Sequence, residues 1–154
     1  MSKQVFSLRS FSVAIIFSLL FIPLSSFTDR GGSLTNDVLF YTNQFRKQKG
    51  KPALVMKESL NTLARKHSEN MASGRVSVGH SGFEQRHNQV KKIYSSCTMA
   101  ENVAWGVSTG KDVVKMWQNS SGHRVNLLGN YKYIGIGTAS DKRGRIYYTQ
   151  IFVR

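Results

Sequence analysis

Apolar positions fall first into helical and later into strand spacing along the chain. Over TNDVLFYTNQFRKQK, residues 35–49, they sit at Val38, Leu39, Tyr41 and Phe45, which predicts a helix capped by Thr35 or Asn36 and stopped by Gly50 and Pro52. ESLNTLARKHSENMAS places Leu60, Leu63, Ala64, His67 and Met71 on one stripe, so a second helix runs up to Gly74. His67 lies inside that stripe and reads as a hydrogen-bonded core histidine. Residues 75–100 open as a loop around Gly79 to Gly82, then allow a short helix over Glu84 to Ile93. Thr109 followed by Asp112 matches a capping box, and Val113, Val114, Met116 and Trp117 give the helix behind it an apolar face. Ser120, Ser121 and Gly122 break that helix, and His123 to Leu128 adds one or two further turns.

The end of the chain changes period. YKYIGIGTAS and RIYYTQIFVR are rich in β-branched and aromatic residues, with DKRG as the turn between them. In the last strand Ile146, Tyr148, Gln150 and Phe152 face one way, and Tyr147, Thr149, Ile151 and Val153 the other. Both faces are partly apolar, as expected of a central strand covered by helices on both sides. There is no internal repeat, and the pattern reads as one α+β domain.

The first residues do not belong to that domain. Lys3 and Arg9 precede the apolar run FSVAIIFSLLFIPL, residues 11–24, a length suited to a signal peptide and short for a bilayer span. The expected division is a leader over residues 1–27, cleaved near Ser26 or Phe27, and a single domain over 28–154; a retained anchor is the alternative. Either way the domain is exported, secreted or otherwise extracytoplasmic. The lone cysteine, Cys97, excludes an internal disulfide, so stability rests on the hydrophobic core. Cys97 reads as a small buried residue of a monomer, or else as a thiol able to dimerise it.

The formal net charge is +14 in 154 residues, of which Lys3 and Arg9 contribute two. In an exported chain with scattered basic residues and no zinc-finger spacing, this argues against nucleic acid as partner. It fits an anionic lipid or a cell-wall polymer instead.

Candidate chemistry sits in four segments: His80 in VGHSG, Glu101 in AENVAWG, His123 in SSGHR and Gln150 in YYTQIF. Two imidazoles and a carboxylate are a usual ligand set for an open divalent-metal site, zinc above all, with water in the remaining position. His80, Glu101 and His123 are therefore the candidate ligands, and Gln150, Tyr148, Asn102 and Ser121 the candidate cleft residues around them. Gly79, Gly82 and Gly122 suit sharp turns beside such a site. Spacing alone leaves other roles open: Glu101 as a turn or helix-start carboxylate, His123 as a capping residue.

LARKHSENMASG, VGHSGFEQR, AENVAWG, MWQNSSGHRVNLLGNYKYIGIGTA and YYTQIFV, in that order, resemble the successive motifs of the CAP superfamily, or SCP domain, in its disulfide-free bacterial form. The resemblance runs from about Thr35 to the C-terminus. It implies a three-layer α-β-α sandwich with a central antiparallel sheet. It also implies a cleft of two histidines and two glutamates that holds a divalent cation in some members. His80, Glu101 and His123 match motif to motif, whereas Gln118 and Asn119 stand near the position of the second glutamate, so the tetrad is incomplete. Relatives bind sterols and lipids or act in secreted signalling and defence, and only sporadically as proteases. The resulting expectation is a non-catalytic binding module for a lipid, sterol or wall component. The alternatives are a metal-dependent hydrolase with Glu101 as general base, and a factor acting through charge alone. Ser81 and Ser121 adjoin the histidines, but no G-x-S-x-G nucleophile motif is present.

Overall fold

A computed structural model describes residues 30–154, and the expected leader lies outside them. The elements are α1 (Arg30–Gln48), β1 (Val55–Met56), α2 (Glu58–Ala72), α3 (Phe83–Tyr94), β2 (Met99–Trp105), α4 (Gly110–Asn119), α5 (Ser121–Leu127), β3 (Tyr133–Ser140) and β4 (Ile146–Val153). The sheet has the order β1-β3-β4-β2. β4 pairs antiparallel with β3 from Tyr133↔Val153 to Ser140↔Ile146, and with β2 from Met99↔Val153 to Trp105↔Tyr147. The two residues of β1 add a short parallel edge to β3.

Both faces of the sheet are covered, which gives the three-layer sandwich. On one side Val38, Phe45, Val113, Val114, Trp117 and Leu127 pack on Ile134, Ile136, Tyr148 and Phe152. On the other, Leu60, Ala64 and Val90 pack on Met99, Ile151 and Val153. Strand alternation sorts β4 as its sequence suggested, and the strand lies between two neighbours.

α2 lies flush on β3 because β3 carries glycine where the two meet. A Cβ on Gly135 would collide with the Leu60 backbone, and one on Gly137 with that of Ala64 and Arg65. The close approach lets α2 bond to the sheet directly. Asn61 Oδ1 accepts from Ile136 N at 2.9 Å, and Ser68 Oγ donates to Gly137 O at 3.0 Å.

Several boundaries differ from the sequence expectation. α1 begins at Arg30, so Thr35 and Asn36 lie within it instead of capping it. Thr109 does cap α4, its Oγ1 accepting from Asp112 N at 3.1 Å. Met116 is 44% exposed, not part of the buried face. Only Ser120 breaks the helix; its extended backbone ends α4 and starts α5, and Gly122 falls inside α5. β2 was not foreseen. It is one of the two outer strands of the sheet, opposite β1, and α4 and α5 cap its rim: Trp117 Nε1 donates to Val103 O and Asn126 Nδ2 to Glu101 O, each at 3.2 Å.

Candidate functional site

Glu101 lies in the middle of β2 with its side chain on the α2–α3 face of the sheet, 1% exposed. A carboxylate so placed needs partners, and α3 supplies the main one. Arg86 Nε donates to Oε2 at 2.7 Å and Nη2 to Oε1 at 2.8 Å, a two-pronged buried ion pair. His80 Nδ1 lies 2.9 Å from Oε1 and, facing a carboxylate, is the donor. Nη1 of Arg86 donates to Ser81 O at 2.8 Å and to His67 Nδ1 at 3.1 Å.

That last bond fixes a tautomer. A guanidinium only donates, so Nδ1 of His67 accepts and Nε2 carries the proton, which it gives to Gly79 O at 2.8 Å. Burial first, then the charge of Arg86, holds the His67 pKa below its ordinary 6.5; the Gly79 bond and Glu101 act the other way without reversing it. Local sequence explains the assembly. His67 is on the sheet-facing stripe of α2 with Leu60, Ala64 and Met71. Gly82 takes φ +76 to begin α3, folding Ser81 O back toward Arg86.

α5 holds His123 beside β2. His123 Nδ1 pairs with Ser120 Oγ at 2.9 Å, and its backbone carbonyl accepts from Asn102 Nδ2 at 3.3 Å. Burial, then the charge of His80, lowers the His123 pKa from 6.5. Asn102 follows Glu101 and therefore points to the opposite face of the sheet. There it donates to Gln150 Oε1 at 3.3 Å, and Gln150 Nε2 donates to Thr42 Oγ1 of α1 at 2.9 Å.

The structure thus brings His80 to Glu101 and separates the remaining candidates. Asn102 and Gln150 are fully buried ties between the sheet and its α1 and α5 side. Tyr148 is a core residue whose hydroxyl donates to Val107 O at 2.9 Å, and burial pushes its pKa up to about 12. It does not line the cleft. Ser121 is exposed, and Ser120 is the serine that meets His123. Arg86 and His67, which hold the centre of the site, were not among the expected site residues. Phe83, Arg86 and Val90 recur at helical spacing on the inner side of α3, and that period was the available signal for Arg86.

These residues do not suit a divalent cation. Among the described residues, no three His, Cys, Asp or Glu side chains form a group able to hold one. Both oxygens of Glu101 are already engaged, and the fixed positive charge of Arg86 stands against any approaching cation. A carboxylate held this way is also poorly placed to take a proton from water.

A second feature lies along α1. A groove of about 690 Å³ is lined by Leu39, Phe40, Asn43, Gln44, Lys47 and Lys51, among others. Phe40 is 58% exposed, with its ring edge-on to Tyr41 at 5.1 Å. It stood outside the apolar stripe read from the sequence.

Comparison with known proteins places the fold. The cysteine-rich secretory protein (CAP) family matches residues 39–152. YkwD of Bacillus subtilis strain 168, itself uncharacterised, is 35% identical over 119 residues, which cover 75% of this chain and 45% of YkwD. Human Golgi-associated plant pathogenesis-related protein 1 is 30% identical over 126 residues, 71% of this chain and 75% of the human protein. An extracellular protein containing an SCP domain from Bacillus anthracis str. Ames superposes with a TM-score of 0.68 at 26% identity, covering 80% of this chain and 41% of that one. The chain spans less than half the length of these two Bacillus proteins.

Proposed function

The chain belongs to the CAP family of cysteine-rich secretory proteins, and we propose that it is an exported binding domain whose α1 groove takes an anionic amphiphile, a lipid of the cell envelope. One observation carries this reading: the groove joins the half-buried Leu39 and the exposed Phe40 to the ammonium groups of Lys47 and Lys51, with no carboxylate among the residues lining it. An acyl chain gains about 0.8 kcal/mol for each CH₂ it buries. An anionic headgroup gains about 1 kcal/mol from each nearby lysine at a membrane surface. Export is supported by the basic and apolar pattern of residues 1–27 and by the extracellular source of the Bacillus anthracis relative. The engaged state of Glu101 favours binding over hydrolysis.

Vesicle co-sedimentation tests the proposal. The protein is expected to pellet with phosphatidylglycerol vesicles and to stay in solution with phosphatidylcholine. Phe40→Ser and the pair Lys47→Glu, Lys51→Glu should each abolish pelleting. If Phe40→Ser pellets like the wild type and moderate salt releases both, charge alone is responsible and the groove reading fails.

A further inference from the structure

Arg86 is surrounded as a bound metal ion is surrounded. Its guanidinium faces both carboxylate oxygens of Glu101, the Nδ1 of His67 and the carbonyl oxygen of Ser81, all between 2.7 and 3.1 Å. These acceptors come from β2, from α2 and from the loop before α3, and they converge on one positive group. His80 then braces the carboxylate from outside, its side chain 53% exposed.

We propose that Arg86 is the resident cation of this cleft: the guanidinium holds the place that a divalent ion would take, so the native protein binds none there. The identity of residue 86 decides between an internal ion pair and a metal site. The tether gives the guanidinium its advantage, because a dissolved ion has to be captured and stripped of water whereas Arg86 arrives with the fold. Any entering dication would also meet a fixed positive charge at short range in a partly desolvated site. Without the Arg86 side chain the same acceptors remain: two carboxylate oxygens, one ring nitrogen and one carbonyl oxygen. That mixture of nitrogen and oxygen donors suits zinc or manganese. The ligands of this latent site are Glu101 and His67, not the His80, Glu101 and His123 set that spacing suggested.

The test is zinc titration calorimetry with thermal unfolding, on metal-stripped wild-type protein and on Arg86→Ala. The wild type is expected to show no saturable zinc heat and no shift in Tm with zinc or chelator. Arg86→Ala should have a lowered Tm, bind one zinc per chain, and recover part of the lost Tm on zinc addition. Adding His67→Ala or Glu101→Gln to Arg86→Ala should remove that binding, while adding His123→Ala should leave it. Arg86→Gln, which keeps a donor for Glu101 and loses the charge, runs in parallel in case the alanine variant does not fold. One zinc per wild-type chain, lost in His80→Ala, His123→Ala, overturns the proposal. So does a folded Arg86→Ala or Arg86→Gln that ignores zinc. If neither variant folds, the wild-type titration decides: silence supports the resident cation and uptake overturns it.

Discussion

Arg46, on the α1 side of the sheet, and Arg86, on the α3 side, both bring a guanidinium out of water, yet only Arg86 meets an anion. Arg46 is 1% exposed and donates to Pro52 O at 2.8 Å, Leu127 O at 2.7 Å and Gly129 O at 3.0 Å. Its partners are neutral carbonyls, two of them at or just beyond the end of α5, and burial alone lowers its pKa. Arg86 offers the same five donors but is answered by a carboxylate and an imidazole. The first arrangement joins the last turn of α1 to the 50s segment and to the end of α5. The second concentrates opposite charges and titratable groups at one point beneath a surface cleft. Similar burial of the same side chain therefore makes a staple in one place and a site in the other, according to what accepts its protons.

The comparison can be broken most sharply at Arg86. Arg86→Ala strands the Glu101 carboxylate in the interior, and a loss of about 3–5 kcal/mol in urea unfolding is expected. Glu101→Leu should cost a similar amount, whereas Arg86→Met with Glu101→Leu should lie closer to wild type than the two single losses added together. Strict additivity in that cycle would show that the pair is not coupled.

Arg46→Met comes next. It removes bonds to carbonyls and strands no charge, so a smaller loss of about 1–3 kcal/mol is expected from the same titration. A cost equal to that of Arg86→Ala would erase the distinction between the two sites.

The smallest effect is in pH. His67 and His123 have pKa values held below 6.5 in the folded chain, so the unfolded chain takes up those protons first. Above pH 6.5 neither state binds them and their contribution is flat. As pH falls through 6.5 toward the folded values, stability should drop. His67→Gln removes one of the two groups, so its Tm should fall less between pH 7 and pH 5 than that of the wild type. Parallel Tm curves would mean that His67 is not the responsible group.

How far the sequence disclosed these features follows from period and burial. α2, α4, β3 and β4 are legible because one stripe or one alternation dominates each. β2 is not, because Glu101 and Asn102 are polar residues buried on opposite faces and the strand shows no contrast between an inner and an outer side. The start of α1 is hidden by Gly31 and Gly32, whose low helix propensity favours reading a loop. The motifs name His80 and Glu101 together, and His80 Nδ1 lies 2.9 Å from Glu101 Oε1. Arg86 escaped notice because in a chain this basic an arginine is read as surface charge, and only its place beside Phe83 and Val90 tells otherwise. Tyr148, a candidate cleft residue by sequence, shares a strand face with Gln150, and that face is core.

The capped rim of β2 also bears on crowding. An outer strand with free carbonyls invites a second copy to add its own strand, the first step toward stacked sheets and precipitation. Here Asn126 and Trp117 already occupy the carbonyls of Glu101 and Val103. A neighbouring molecule arriving at that edge meets helix and indole in place of an open ladder. The segment that positions His123 thus also works as a guard against self-association, a useful property in a chain with no disulfide to restrain it.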